Sequence, residues 1–478
     1  MAASYKDLRE LLAYVEKRGQ LRRIPVEVSP EYELAEVTSR AARLPDGGPV
    51  LLFQKVRGSR LPVLTNLLGS TQRLAWSFGL NNLAELEQVT QKLLRPPGPQ
   101  DLGERLARLA ETSHLARFAP RSLRSGPAQE VVRLGTGFDL VEGLPFFKSG
   151  TGESGASWRF LQLFNRPRPD GEVEIRSGTL VEQDGTLYLG GIELQPGERR
   201  QVSLVVGGDP SLLFAANAPF MPELDPLIMA GFLANRRLEL VRCKTNDLEV
   251  PAVAELVLEG LAEADNERPD VRLGQINGFY AAPSGFVRFT PTALTSRKDP
   301  LLVTSLISAP PNEAGVLARG TERILLPILR QTAPEITDLL LPAAGAFYNL
   351  AIVSIKKTYP GQAQRVMYNL WGQPQLKYLK HLLVVDEDCP LQPPDRLIGQ
   401  VLALLDPDAD LLSIKGPLDF SDIMPVQSGF GTKFGLDATR KLPGEVRPEI
   451  NLDRRNPLRS PDAVQKLVTH KWLEYGIE

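Results

Sequence analysis

Residues 245–280 read TNDLEVPAVAELVLEGLAEADNERPDVRLGQINGFY, and this stretch decides the reading of the fold. Glu255, Val257 and Glu259 alternate with Leu256 and Leu258, the period of two expected of a half-buried strand. The apolar positions over 250–261 also fit a helical period, and spacing alone leaves both readings open. As a strand, Glu255 and Glu259 share one face. That suits either a carboxylate pair for acid–base work or a plain solvent face. Further on, Pro269-Asp270 and Asn277-Gly278 are turn signals. Asp270 can carry a proton, whereas Gln275, an amide, can only orient a group through hydrogen bonds.

The whole chain has 478 residues, enough for two or three domains, and its 42% hydrophobic content supplies real cores. A formal net charge of −2 gives no electrostatic case for nucleic acid or an anionic membrane surface. Cys243 and Cys389, the two cysteines, stand far apart, which excludes a disulfide framework and fits a reducing cytoplasm. His114, His381 and His470 have no metal-site spacing. No apolar run approaches the roughly 20 residues of a membrane span. The opening MAASYKDLREL has no apolar core of a signal peptide. A cytoplasmic protein is expected.

Outward from the central stretch, residues 4–18 predict an amphipathic helix, with Ser4 as cap and Gly19 as stop. Short strands are expected at 49–53 and 61–64, and a helix after Gly69-Ser70-Thr71. Residues 95–101 and 119–128 read as loops. From about 130 to 305 the pattern is strand-rich, with Val202–Val206 ending in the turn Gly207-Gly208-Asp209-Pro210. The break Ala309-Pro310-Pro311-Asn312 precedes alternating helix and strand. Helices are expected at 316–331, 362–370 and 396–405, strands at 350–355 and 381–385. An extended tail over 444–462 and a last helix over 461–475 complete the chain. Gly429-Phe430-Gly431-Thr432-Lys433 is a glycine turn without full phosphate-loop spacing.

The central stretch resembles the core signature of the UbiD family of decarboxylases. DLRELLAYVEKRGQLRRI resembles that family's first domain. GTERILLPILRQTAPEITDLLLPAAGAFYNLAIVSIKKTYPGQAQRVMYNLWG, KHLLVVDEDC and GFGTKFGLDATRKLPGE are most similar to its menaquinone-pathway branch, which acts on a dihydroxynaphthoate. The resemblance implies an α/β (α+β) protein. It would have an N-terminal α/β domain at 1–125, a central flavin-type split β-barrel at 126–308, and a C-terminal α/β oligomerisation domain at 309–478. It also implies a carboxy-lyase that uses prenylated flavin mononucleotide on a small aromatic acid, working as a homo-oligomer.

The functional motifs depart from the family pattern. Counted without a gap from Glu259-Gly260, the two substrate-facing acids of the family fall on Asp270 and Gln275. Asp270 is then the proton carrier and Gln275 an orienting amide. Aligned on Asp170-Gly171, the family's metal-binding Asn and catalytic Arg fall on Glu174 and Thr179, with Arg176 as a nearby substitute for the arginine. The family's metal-binding Glu falls on Pro226, beside Asp225, and the segment 184–200 contains no histidine. The expectation is therefore no tightly bound divalent metal, with Glu174, Thr179 and Lys380 beside the flavin. Two function classes stay open: a flavin-dependent carboxy-lyase with altered chemistry, and an inactive paralogue that serves as a binding or assembly subunit beside an active one.

Overall fold

The computed structural model describes residues 5–94, 116–166, 171–217, 225–264, 270–281, 285–306, 308–419, 429–445 and 460–476. The run after Glu255 folds as a strand, Leu256–Glu263, with a neighbour on each edge. It pairs antiparallel with Arg199–Val206 on one side and with Val287–Ser296 on the other. From Arg199–Val206 the sheet continues through Ala156–Asn165, Glu174–Gln183 and Thr186–Gly190, and returns to Val287–Ser296. These six strands close into an antiparallel barrel, and Val131–Leu134 adds to the Val287–Ser296 edge. Closure leaves no exposed edges on the ring. Both rows of backbone groups of 256–263 are consumed by neighbours, so the strand reading prevails over the helical one.

Alternation sorts the barrel side chains into two cores. Leu161, Leu163, Leu180, Leu204, Leu258 and Phe289 fall in one. Their alternates Phe164, Ile175, Val205 and Val257 join a second core with Leu212 and Phe214 of helix Pro210–Ala215 and Phe232 of helix Pro226–Ala234. The central strand is thus covered on both faces. The solvent face considered for Glu255 and Glu259 does not exist, since both are fully buried.

The N-terminal helix Leu8–Lys17 buries Leu8, Leu11, Leu12 and Val15. Asp7 caps it by accepting the Glu10 N–H at 3.1 Å. The expected cap, Ser4, lies outside the described residues. Leu21–Val28 runs parallel to Val50–Val56, which pairs antiparallel with Val63–Thr65. After the barrel the chain comes back to this sheet, where Leu302–Val303 pairs parallel with Val63 and Leu64. The stretch 119–128, expected as loop, contains a strand, Arg121–Leu123, paired with Glu239–Arg242. Its polar sequence gave no apolar alternation to reveal it.

Asn312 caps the long helix Glu313–Thr332 by accepting the Gly315 N–H at 3.3 Å. A five-stranded sheet follows, in the order Ile336–Leu340, Leu350–Ile355, His381–Asp386, Phe430–Asp437, Leu411–Pro417. Its three middle strands are parallel and both edge strands antiparallel. Helices Gln362–Gly372 and Pro394–Leu404 belong to this part, and the last helix, Asp462–His470, buries no side chain. Most of the expected extended tail lies outside the described residues. The whole is an α/β (α+β) architecture around a barrel.

Candidate functional site

The two buried glutamates of the central strand are fully occupied. Glu259 accepts the Lys244 N–H at 2.8 and 2.9 Å, the Thr245 N–H at 2.6 Å and the Thr245 hydroxyl at 2.8 Å. Beside it, burial and the Glu259 charge push the Cys243 thiol up to about 12. Glu255 accepts two hydrogen bonds from Arg9, at 2.8 and 2.5 Å, and the Leu301 N–H at 3.0 Å. Buried carboxylates that each accept several hydrogen bonds serve the fold, tying loops and the N-terminal helix to the barrel.

Past the strand the chain forms a two-stranded hairpin, Leu273–Gly274 against Tyr280–Ala281. The Gln275 N–H donates to Phe279 O at 2.7 Å, and Asn277 Oδ1 accepts the Phe279 N–H at 3.0 Å. Gly278 holds the turn at φ +84°, a region glycine enters without cost. Val271 and Leu273 anchor the hairpin on Val181 and Phe286 of the barrel. Tyr280 packs over Gly152, where a Cβ would lie 2.8 Å from its ring. Arg272 Nε donates to Gly152 O at 2.7 Å. The hairpin is therefore seated on residues 149–154.

Glu153 is the centre of that seat. Its Oε2 accepts the Ser149 N–H at 2.6 Å, and its Oε1 accepts the Gly274 N–H at 3.0 Å. The same Oε1 meets Arg159 Nη2 at 3.0 Å, with the two side chains only 1% and 9% exposed. Arg159 Nε donates to Ser157 Oγ at 2.9 Å. Burial pulls the Arg159 guanidinium below its ordinary range, and Glu153 opposes that pull. Arg159 sits at an irregularity of the barrel: Trp158 pairs with Leu180 and Leu161 with Gly178, so the backbone of two residues, 159 and 160, stands opposite that of Thr179. Such bulges re-aim a side chain out of the ladder.

A cleft of about 210 Å³ opens here, lined by Ser149, Glu153, Gln275, Phe279, Tyr280 and, from the helix Glu33–Ala42, Ser39. Gln275 thus lies in the same cleft as Glu153, with its Nε2 donating to Leu273 O at 3.2 Å. Asp270, exposed, stands at the start of the same segment. Arg176 is exposed and ion-paired to Glu174 at 3.0 Å, a surface pair on the barrel strand. Thr179 is half-buried and pairs with Gly190. Lys380 is half-buried just before the strand His381–Asp386. Sequence reading missed Glu153 and Arg159. The only signal was an acid in a Gly/Ser-rich turn six residues ahead of an arginine. A larger cleft, about 520 Å³, lies between Lys6, Arg121, Arg236 and Glu239, where Arg236 pairs with Asp209 and Arg121 with Glu239.

A buried oxygen on the barrel is left without a donor among the described residues. Gln162, buried on the barrel strand, donates to Gly207 O at 3.4 Å, while its Oε1 accepts nothing among the described residues. A ring N–H is the kind of donor that oxygen lacks. Asp225 instead spends its carboxylate capping the helix Pro226–Ala234, accepting the Leu227 N–H at 2.7 Å, and burial raises its pKa. No group of three His, Cys, Asp or Glu able to hold a metal occurs among the described residues.

Comparison with known proteins matches this architecture segment by segment. Models of 3-octaprenyl-4-hydroxybenzoate carboxy-lyase match its N-terminal domain to residues 12–93, its Rift-related domain to 179–310 and its C-terminal domain to 315–438. An uncharacterized protein of Aquifex aeolicus is 34% identical over 100% of both chains. The UbiD-class enzyme HmfF from Pelotomaculum thermopropionicum, in complex with FMN, superposes with a TM-score of 0.76 at 26% identity, covering 96% of this chain and 98% of that one. An evolved dimeric form of HmfF in complex with prFMN gives 0.75 at 25% identity, covering 97% and 98%. With all three modules matched in order around the same barrel, the chain belongs to the UbiD family of decarboxylases.

Proposed function

We propose that the protein is a carboxy-lyase acting on an aromatic acid, of the dihydroxynaphthoate type used in menaquinone synthesis, with prenylated FMN as cofactor. The observation that carries this reading is the docked hairpin, which puts Gln275 and the buried Glu153 in one cleft beside the barrel. The flavin, when bound, supplies the electron sink for breaking the carbon–carboxyl bond. Gln162 would accept a ring N–H, and Thr179, Glu174 and Lys380 would help hold the cofactor. The Gln275 amide orients the substrate, and Asp270 returns a proton to carbon. The protein works in the cytoplasm as a homo-oligomer; among the described residues, no helix is long and apolar enough to cross a membrane.

A second reading, a binding or assembly subunit, is favoured by the amide at Gln275 and by the surface pairing of Arg176 with Glu174. Co-expression with a flavin prenyltransferase separates the two. The carboxy-lyase reading expects a coloured protein that releases carbon dioxide from dihydroxynaphthoate or another aromatic acid. A colourless, inert protein that copurifies with an active paralogue supports the subunit reading.

A further inference from the structure

Thr179 and Gln275 occupy the places where the family resemblance expects an arginine and a carboxylate, and each has lost the charge. A buried ion pair, Arg159 with Glu153, borders both positions through the backbone. Arg159 stands opposite Thr179 in the strand register at the bulge, and Glu153 holds the N–H of Gly274, the residue before Gln275. We infer that the lost charges have been replaced from the neighbouring strand. Arg159 is the group that receives the substrate carboxylate, and Glu153 is the positioning residue that aims it. This rests on the carboxy-lyase reading.

The donor arithmetic supports the assignment. A guanidinium carries five N–H donors. Arg159 spends Nε on Ser157 and Nη2 on Glu153, and among the described residues Nη1 has no acceptor. Glu153 in turn is held by three backbone N–H groups, from Ser149, Gly150 and Gly274, so it has little freedom to swing. A fixed carboxylate fixes the plane of its arginine. The bulge aims a residue that regular alternation would not present at this point. One anion already compensates Arg159, so the charge is stable while the site is empty. A second carboxylate can dock on the remaining edge without leaving a buried charge unpaired.

The test is selectivity for the carboxylate, which a merely structural residue would not alter. Flavin-loaded protein is titrated calorimetrically with two matched pairs, 2-naphthoate against 2-naphthamide and benzoate against benzamide. The unmodified protein should prefer the acid of a pair. Arg159→Gln should lower acid affinity by roughly tenfold or more, as for a lost hydrogen bond to a charged group, and leave the amide unchanged. Arg159→Lys keeps the buried charge, so it reports even should the glutamine variant fail to fold, and should keep only part of the preference, because an ammonium lacks the planar fork. Adding Thr179→Arg to Arg159→Gln should bring the preference back. If either single variant keeps the full acid preference, the assignment is wrong while the carboxy-lyase reading stands. If the unmodified protein shows no preference in either pair, both fail.

Discussion

One carboxylate oxygen of Glu153 accepts the N–H of Gly274 at 3.0 Å, and so ties the hairpin to the barrel strand through a buried side chain. That oxygen also faces Arg159 at 3.0 Å. Hairpin position and arginine position are therefore set by the same group. Glu153→Ala leaves Arg159 buried without its anion, which should cost about 3–5 kcal/mol. Urea unfolding measures this directly. A loss under about 1 kcal/mol, the range of surface ion pairs, would show that the pair is solvated in solution.

The tip of the hairpin depends on Gly278. At φ +84° an added Cβ is strained, and it would also lie 2.9 Å from the Ala309 side chain. Gly278→Ala should destabilise the protein by about 1–2 kcal/mol. It should also raise KM more than it lowers thermal stability alone would explain, because Gln275 moves with the turn. Steady-state kinetics beside a melting curve checks both effects.

Lys433 gives a pH signature. It is buried in the C-terminal sheet, donates to the Lys377 carbonyl, and burial pushes its ammonium down from 10.5 to about 8. Below about 8 both folded and unfolded chains hold the proton, and the folded one bears the full burial penalty. Between 8 and 10.5 the unfolded chain binds more protons, so stability from this residue rises with pH across that window. Lys433→Met removes the penalty. The variant should be more stable than the parent at pH 7, by on the order of 1 kcal/mol or more, and the difference should shrink as pH passes through the window. A constant difference from pH 7 to pH 10 would rule this out.

The proton carrier is tested at Asp270. Asp270→Asn should lower the rate of carbon dioxide release by about 10²–10⁴-fold with flavin absorbance unchanged. Gln275→Glu, which returns an acid to the cleft, should raise turnover. A rate that survives Asp270→Asn assigns the proton to another group.

The sequence told the turn at Asn277-Gly278, the strand Leu350–Ile355 and the break before Glu313 correctly because each is set by local chemistry: a positive-φ glycine, an apolar run, an Asn cap. Glu255 and Glu259 misled, because alternation reports a strand but not what covers its far face. Here helices 210–215 and 226–234 bury that face. Arg159 was invisible for a related reason. It stands between Trp158 and Phe160 in an aromatic run, and only the bulge, a property of pairing between strands, sets it apart from the regular alternation. Glu153 becomes meaningful only when the hairpin, 121 residues later, lays the Gly274 N–H on it.

The most direct test of the whole account is one experiment on the protein co-expressed with a flavin prenyltransferase. Its absorbance spectrum is recorded, followed by carbon dioxide release from a panel of aromatic acids that includes dihydroxynaphthoate. The account predicts about one bound flavin per chain and release from at least one acid of the panel. Protein that takes up no flavin and releases no carbon dioxide would contradict it.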